Sequence, residues 1–209
     1  MNCYARMAGH TALVIFVVSA AMFGAMFGEN IGNFSHRTHP LAWLGAGGVP
    51  RAMLFNLCTF LLPGVLAAVA LWQLRPALPP GTRWSARIGA QLVVLSALAF
   101  AAQGVLPLDL ENPDGTAGGL HAMAWTAWWL AFNAGALALA WGLRKTVTMC
   151  RFFAAITALA GLVIPMLAVL APLWIPNALA QRVAFLLWFV WVVWAAGCPR
   201  PQRATAKAD

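Results

Sequence analysis

The sequence predicts an all-α integral membrane protein, a bundle of six transmembrane helices whose N and C termini both lie in the cytoplasm. The first reason is composition: 62% of the 209 residues are hydrophobic, 9% are charged, and the mean hydropathy is +0.78. A soluble domain with a polar shell does not have this balance. The other reasons are six apolar stretches and the alternation of basic residues between the loops.

Each apolar stretch approaches the roughly 20 residues that a helix needs to cross the hydrocarbon of a bilayer. Read from hydropathy, the predicted helices cover about residues 9–27, 52–74, 88–106, 121–143, 152–171 and 179–196. Residues 1–198 are therefore predicted to form one transmembrane domain. The last residues, 199–209, are polar and contain proline, so we expect a disordered cytoplasmic tail.

The charged residues predict the orientation of the bundle. Ten of the thirteen basic residues fall beside one end of it: Arg6, Arg75, Arg83, Arg87, Arg144, Lys145, Arg151, Arg200, Arg203 and Lys207. Because basic residues in short loops stay in the cytoplasm, that end is predicted to be cytoplasmic. The outer end collects most of the acidic residues. This pattern predicts a multi-pass membrane protein in contact with membrane lipid, and explains the net charge of +8 without a nucleic-acid partner.

Histidines and a carboxylate at the outer end could carry chemistry. His36, His39 and His121 fall there together with Asp109, a mixture of residue types that is typical of a zinc site. A zinc ion held by these four residues would activate water for hydrolysis within the membrane. The alternative is that they are polar side chains that bond to each other or to water.

Asp109 directly follows the third apolar stretch, where a carboxylate at the edge of the hydrocarbon requires a partner. Arg182, near the start of the sixth predicted helix, is the predicted partner. An ion pair between them would tie the third helix to the sixth. The alternative is that the two charges recognise the polar headgroup of a ligand.

His121 opens the fourth predicted helix, and Trp125 and Trp128 follow it at helical spacing. This aromatic stripe below a titratable ring is either the wall of a ligand pocket or part of the tryptophan belt that membrane interfaces favour.

Three amides, Asn56, Gln103 and Asn133, fall in the outer halves of three different helices. An amide within the bilayer needs a hydrogen-bond partner, so we expect these side chains to point inward. There they either pair one helix with another or line a polar cavity.

The first helix contains Ala20, Gly24 and Gly28 at four-residue spacing, a ridge of small residues that lets another helix approach closely. We expect this ridge to pack inside the bundle, and a homo-oligomer that forms through it is the alternative.

No cofactor is expected apart from zinc under the alternative above. A haem would need two axial ligands close to one iron, but His10 and His121 lie at opposite ends of the bundle, roughly 30 Å apart. The chain also has no phosphate-binding loop, nucleophile elbow or metalloprotease histidine pair.

Several short motifs follow one another along the chain, each of them once. They are Leu44-Gly45, Phe55-Asn56, Gly64, Pro107, Asp109, His121, Gln181-Arg182 and Trp188. In order and spacing they resemble the bacterial and archaeal six-helix family catalogued as domain of unknown function 998, over almost the whole length. The resemblance implies the six-helix fold and draws attention to Asp109, His121 and Arg182, without naming a reaction.

Two positions depart from that family. Its members often have a serine shortly before the Leu-Gly pair and a histidine four positions before the one that matches His121, where this chain has Ala42 and Ala117. Any role that needs those two groups is in doubt here.

Together, these patterns predict a protein that binds or handles a lipid-like or small amphipathic ligand in a pocket at the periplasmic half, rather than an enzyme. The predicted pocket residues are Asp109, His121, Asn56, Asn133, Trp125, Trp128 and Arg182. Two alternatives stay open: a metal-dependent intramembrane hydrolase that uses the histidines and Asp109, and a structural or assembly protein.

Overall fold

The structure is a computed structural model that describes residues 3–27, 34–112, 114–146 and 148–197, so the predicted tail lies outside it. Throughout these residues the regular structure is helical and no strand occurs, which confirms the all-α prediction. The long helices are α1 (Cys3–Phe27), α2 (Ala52–Ala77), α3 (Trp84–Ala102), α4 (Thr116–Leu143), α5 (Thr148–Val169) and α6 (Asn177–Gly197). Short 3-10 helices cover Leu41–Gly45 and Ala171–Leu173.

Five of these helices, all except α4, are long and apolar enough to cross a membrane, as expected of a multi-pass membrane protein. Helix α4 has 28 residues and no Asp, Glu, Lys or Arg. It contains four tryptophans and Asn133, however, and these lower its mean hydropathy. The sixth membrane crossing therefore stays a prediction.

Helices α3, α4 and α5 begin at Trp84, Thr116 and Thr148, ahead of the starts predicted from hydropathy at 88, 121 and 152. Hydropathy marks only the apolar part of a helix. Backbone hydrogen bonding continues beyond it into polar residues, where water can solvate the side chains.

Glycines bring α3 and α4 into close contact. A Cβ placed on Gly89 of α3 would lie 2.6 Å from the backbone oxygen of Gly135 on α4. A Cβ on Gly142 of α4 would lie 2.5 Å from the backbone nitrogen of Ala86 on α3. Small residues at such positions allow helix backbones to approach in lipid, where no hydrophobic effect drives helices together.

Helix α2 has a π-helical segment at Leu57–Leu61, just before Pro63. In a π-helix the carbonyl of Cys58 would accept from the residue five positions later, but that residue is Pro63, which has no N–H. The hydroxyl of Ser19 on α1 donates to the Cys58 carbonyl instead, at 3.2 Å, and Thr59 donates to Ser19 at 3.0 Å. The interruption in α2 is thus satisfied by α1.

Residues 34–51, which the sequence predicts to be the first outer loop, fold back onto the end of the bundle that it predicts to be the outer one, and we keep the names first outer loop and outer end for them. Leu41 and Leu44 of this loop are 1% and 2% exposed, so the loop contributes to the hydrophobic core. The backbone N–H of Gly47 donates to the carbonyl of Leu108 at 2.9 Å, which joins the first outer loop to the segment after α3. The first outer loop therefore forms a packed cover over the outer end, and we call residues 34–51 the cap.

The small-residue ridge of α1 is partly covered by this cap. The imidazole of His36 packs directly on Gly24, where a Cβ would overlap its ring, and Ala20 packs against the core. Gly28 lies outside the described residues. At Gly24, the ridge packs within the chain, as its structural interpretation requires.

Candidate functional site

Buried polar side chains without partners lie on the helix face that carries Phe100 and on two rings that contact it. Ser96, Phe100 and Gln103 follow each other at spacings of four and three, so they share one face of α3 and its end. Gln103 is 1% exposed, and neither its Oε1 nor its Nε2 has a hydrogen-bond partner among the described residues. The hydroxyl of Ser96 is buried and unpartnered in the same way.

Two indoles from other helices complete this group. Trp128 of α4 and Trp188 of α6 are both fully buried, and their Nε1–H donors have no acceptor in the described part of the chain. The ring of Phe100 stacks on Trp188 at 5.2 Å and meets Trp128 edge-on at 6.2 Å, and the two indoles are 6.0 Å apart. We call Ser96, Phe100, Gln103, Trp128 and Trp188 the polar centre.

Native proteins pair nearly all of their buried polar groups, since an unpaired one costs about 1 to 3 kcal/mol. Four unpartnered side chains around one phenylalanine ring are therefore unusual. A ligand that carries its own polar group could satisfy them, so the polar centre is the candidate functional site.

Trp125, which the sequence assigns either to a pocket wall or to an interface belt, borders the polar centre. Its ring is 5.0 Å from that of Trp128 and 5.5 Å from that of Phe185 on α6. Trp125 is partly buried, so it extends the aromatic surface from the core toward the periphery of the bundle.

His121 links the start of α4 to the end of α3. It is 8% exposed, and its Nδ1–H donates to the carbonyl of Leu106 at 2.7 Å. The backbone of Gln103 lies beside the same ring. His121 therefore contacts the chain segment from which Gln103 projects.

Asn56 anchors the cap to α2. Its Nδ2 donates to the carbonyl of Gly45 at 2.8 Å, and a side chain at Gly45 would overlap the Asn56 amide. The backbone oxygen of Asn56 also faces Gly104, next to Gln103. The Asn56 amide thus donates to the protein itself at the edge of the polar centre.

Asn133 lies far along α4 from His121, the predicted site residue at the start of that helix. It follows His121 by twelve residues on the same helix, a separation of about 18 Å along the axis. Its Nδ2 donates to the carbonyl of Gly161 at 2.7 Å, which pairs α4 with α5. This is the helix-pairing role that was one of the two expected for the amides.

Asp109 and Arg182, the predicted ion pair, bond to other groups. Asp109 Oδ1 accepts the backbone N–H groups of Glu111 and Asn112, at 3.0 and 3.2 Å, and so closes a local turn. Arg182 donates to the carbonyls of His39 and Ala178, at 3.1 and 2.8 Å. No ion pair joins Asp109 to Arg182, although the structure describes both side chains.

Arg182 and its neighbour Gln181 hold the cap on α6. Arg182 also donates to Nδ1 of His36 at 3.4 Å, and the Oε1 of Gln181 accepts the backbone N–H of Leu41 at 3.1 Å. Burial, and then the charge of Arg182, lower the pKa of His36 below its ordinary value. The function of Arg182 in this structure is to dock the first outer loop.

The predicted zinc ligands are not brought together. Among the residues that the structure describes, no three His, Cys, Asp or Glu side chains lie close enough to hold a metal ion. His36 contacts Arg182, His39 Nδ1 accepts the backbone N–H of Ser35 at 3.0 Å, and His121 contacts Leu106. Their geometry gives no support to the metal-dependent hydrolase.

Sequence reasoning missed Ser96 and Trp188 as site residues, although it placed Gln103 on an inward face. The spacing of Ser96, Phe100 and Gln103 along one helix face could have indicated the first of them. Trp188 could not be assigned, because only packing between helices brings it to Phe100.

Comparisons of this chain with protein-family models, with curated proteins and with solved structures find no match. The resemblance to the six-helix family therefore stays a prediction, and the function must be argued from the site.

Proposed function

We propose that this protein binds a lipid-like or small amphipathic ligand within the outer half of its bundle. The observation that carries the proposal is Gln103, whose carboxamide is buried without a partner among the described residues. A ligand headgroup that pairs with this amide would remove the cost of its burial. The aromatic rings around it would contact the apolar body of the ligand, as in other mostly apolar binding sites.

The proposal includes the membrane arrangement predicted from the sequence. All six helices cross a bacterial inner membrane, with both chain ends in the cytoplasm and the cap in the periplasm. The charge asymmetry of the loops and the lack of charged residues in α4 support it. An impermeant thiol reagent added to intact cells should then label a cysteine introduced at Gly47 and not one at Pro80, both of which are exposed positions, and the reverse pattern would invert the topology.

The experiment on the site compares Gln103→Met with Gln91→Met, a matched substitution at an exposed position of the same helix. Wild-type protein purified in mild detergent should retain a ligand in native mass spectrometry. Gln103→Met should lose it, yet this variant should melt at a higher temperature than wild-type protein stripped of the ligand, because the amide left unpaired there has been removed. Gln91→Met should retain the ligand as the wild type does.

Two results would contradict the proposal. One is a wild-type protein that retains no small molecule under conditions that preserve annular lipid. The other is a Gln103→Met variant that retains the same ligand as the wild type. Co-purification of a second protein in place of a ligand would favour the assembly role.

A further inference from the structure

The hydrogen-bonding chemistry of the polar centre indicates which ligands it suits. The indoles of Trp128 and Trp188 can only donate, and the amide nitrogen of Gln103 offers two more N–H groups. The centre thus has four N–H donors, while its acceptors are the amide oxygen of Gln103 and the hydroxyl of Ser96. A centre with an excess of donors is complementary to a ligand rich in acceptor oxygens.

The charge around the centre argues for a neutral ligand. An anion buried in apolar surroundings needs a cation beside it, because its desolvation is otherwise too costly. The basic residue of the outer end that reaches into the protein is Arg182, and its guanidinium already contacts His39, Ala178 and His36. The rings in contact with Phe100 carry no charge. Among them are Phe16, Phe60, Phe185 and Phe189.

The shape of the centre favours a flat ring. Phe100 and Trp188 are nearly parallel, with an interplanar angle of 26°, while Trp128 is almost perpendicular to Trp188, at 82°. The three rings are fully buried and pack on one another, so a ligand among them would meet aromatic neighbours that favour stacked or edge-on rings and also the indole N–H donors. A planar conjugated ring whose edge carries carbonyl oxygens would use both.

We propose that the polar centre binds a neutral amphiphile with carbonyl oxygens on a flat ring, that is, a quinone-type ligand with an apolar substituent. This inference rests on the proposed function and names its ligand class. Gln103 and the two indoles donate to the carbonyl oxygens, and the aromatic rings contact the faces of the ligand. Acidic phospholipid headgroups are excluded from this centre because they would bring an unpaired charge into it.

The test measures reversible binding of three probes by equilibrium dialysis to the purified full chain, with its free thiols blocked by N-ethylmaleimide because quinones alkylate them. The probes are menadione, 2-methylnaphthalene, which has the same ring system without carbonyls, and 1,4-naphthoquinone-2-sulfonate, which adds a negative charge. Menadione should bind wild-type protein more tightly than either analogue. Gln103→Met should weaken menadione binding about tenfold and leave 2-methylnaphthalene unchanged, as the loss of a hydrogen bond predicts.

Trp128→Phe and Trp188→Phe give a second measurement, since each removes an N–H donor and keeps an aromatic ring. Each should also weaken menadione selectively. Equal binding of menadione and 2-methylnaphthalene, or tighter binding of the sulfonate, would overturn the ligand class. If wild-type protein nevertheless retains a phospholipid that Gln103→Met loses, the proposed function stands and only the ligand class fails. If Gln103→Met changes neither the binding of menadione nor the retention of a co-purified ligand, the proposed function and the ligand class both fail.

Discussion

Replacing Gly89 by alanine should destabilise the bundle by about 3 kcal/mol, near the upper end of the usual cost of overpacking. The added methyl group would lie 2.6 Å from the backbone oxygen of Gly135, and closer still to the backbone nitrogen of Leu139. Backbone atoms inside a helix cannot turn aside as a flexible side chain can, so α3 and α4 would have to separate. Unfolding in detergent, followed by helical circular dichroism, measures the loss.

The control is Gly119→Ala, which adds the same methyl group to α4 at a position with open space around it. This variant should gain about 0.5 to 1 kcal/mol, because alanine favours the helical backbone more than glycine does. Equal effects at the two positions, or no loss at Gly89, would show that the close contact between α3 and α4 does not exist.

Replacing Arg182 by alanine should release the first outer loop from the bundle. The guanidinium supplies a charged donor to the carbonyl of His39, and hydrogen bonds of this type contribute about 1.5 to 3 kcal/mol each. Backbone amides of residues 34–51 should therefore exchange with deuterium tens of times faster than in wild-type protein. Arg37→Ala, which removes an exposed cation of the same loop, should leave the exchange unchanged.

The same contact should make the docking of the loop sensitive to pH. Because a guanidinium only donates, Nδ1 of His36 must accept from it, which requires a neutral imidazole. Since the pKa of His36 is lowered in the folded protein from its ordinary 6.5, the undocked loop binds more protons below that pH. Protection of the loop should fall as the pH drops below 6.5, and less steeply in Arg182→Ala. Protection that rises on acidification would contradict the contact.

The helical class and the positions of the helices followed from hydropathy because a helix in lipid must satisfy its own backbone over a fixed length. The same reasoning failed for partners. Charge complementarity assigned Arg182 to Asp109, but an arginine is satisfied equally well by backbone carbonyls, and the sequence does not show which carbonyl a loop brings close. Asp109 meanwhile bonds to backbone N–H groups two and three residues ahead.

For the amides too, the sequence predicted the placement of each side chain but not its hydrogen-bond partner. Placing Gln103, Asn56 and Asn133 on inward faces required only the rule that an amide avoids lipid. Deciding which of these amides lacks a hydrogen-bond partner required knowledge of the segment that faces it. Asn133 meets a carbonyl of α5 and Asn56 meets the cap, while Gln103 meets neither.

Because of the π-helical segment of α2, the attachment of the cap depends on how many residues that segment contains as well as on which residues they are. A π-turn accommodates one residue more than an α-turn, so it rotates all preceding residues by about 100° about the helix axis. Asn56 is the last of those residues, and its amide points to Gly45 only because of that rotation. Shortening Leu57–Leu61 by one residue would leave the rest of α2 after it in place, and would turn Asn56 and the buried Phe55 beside it away from their present partners.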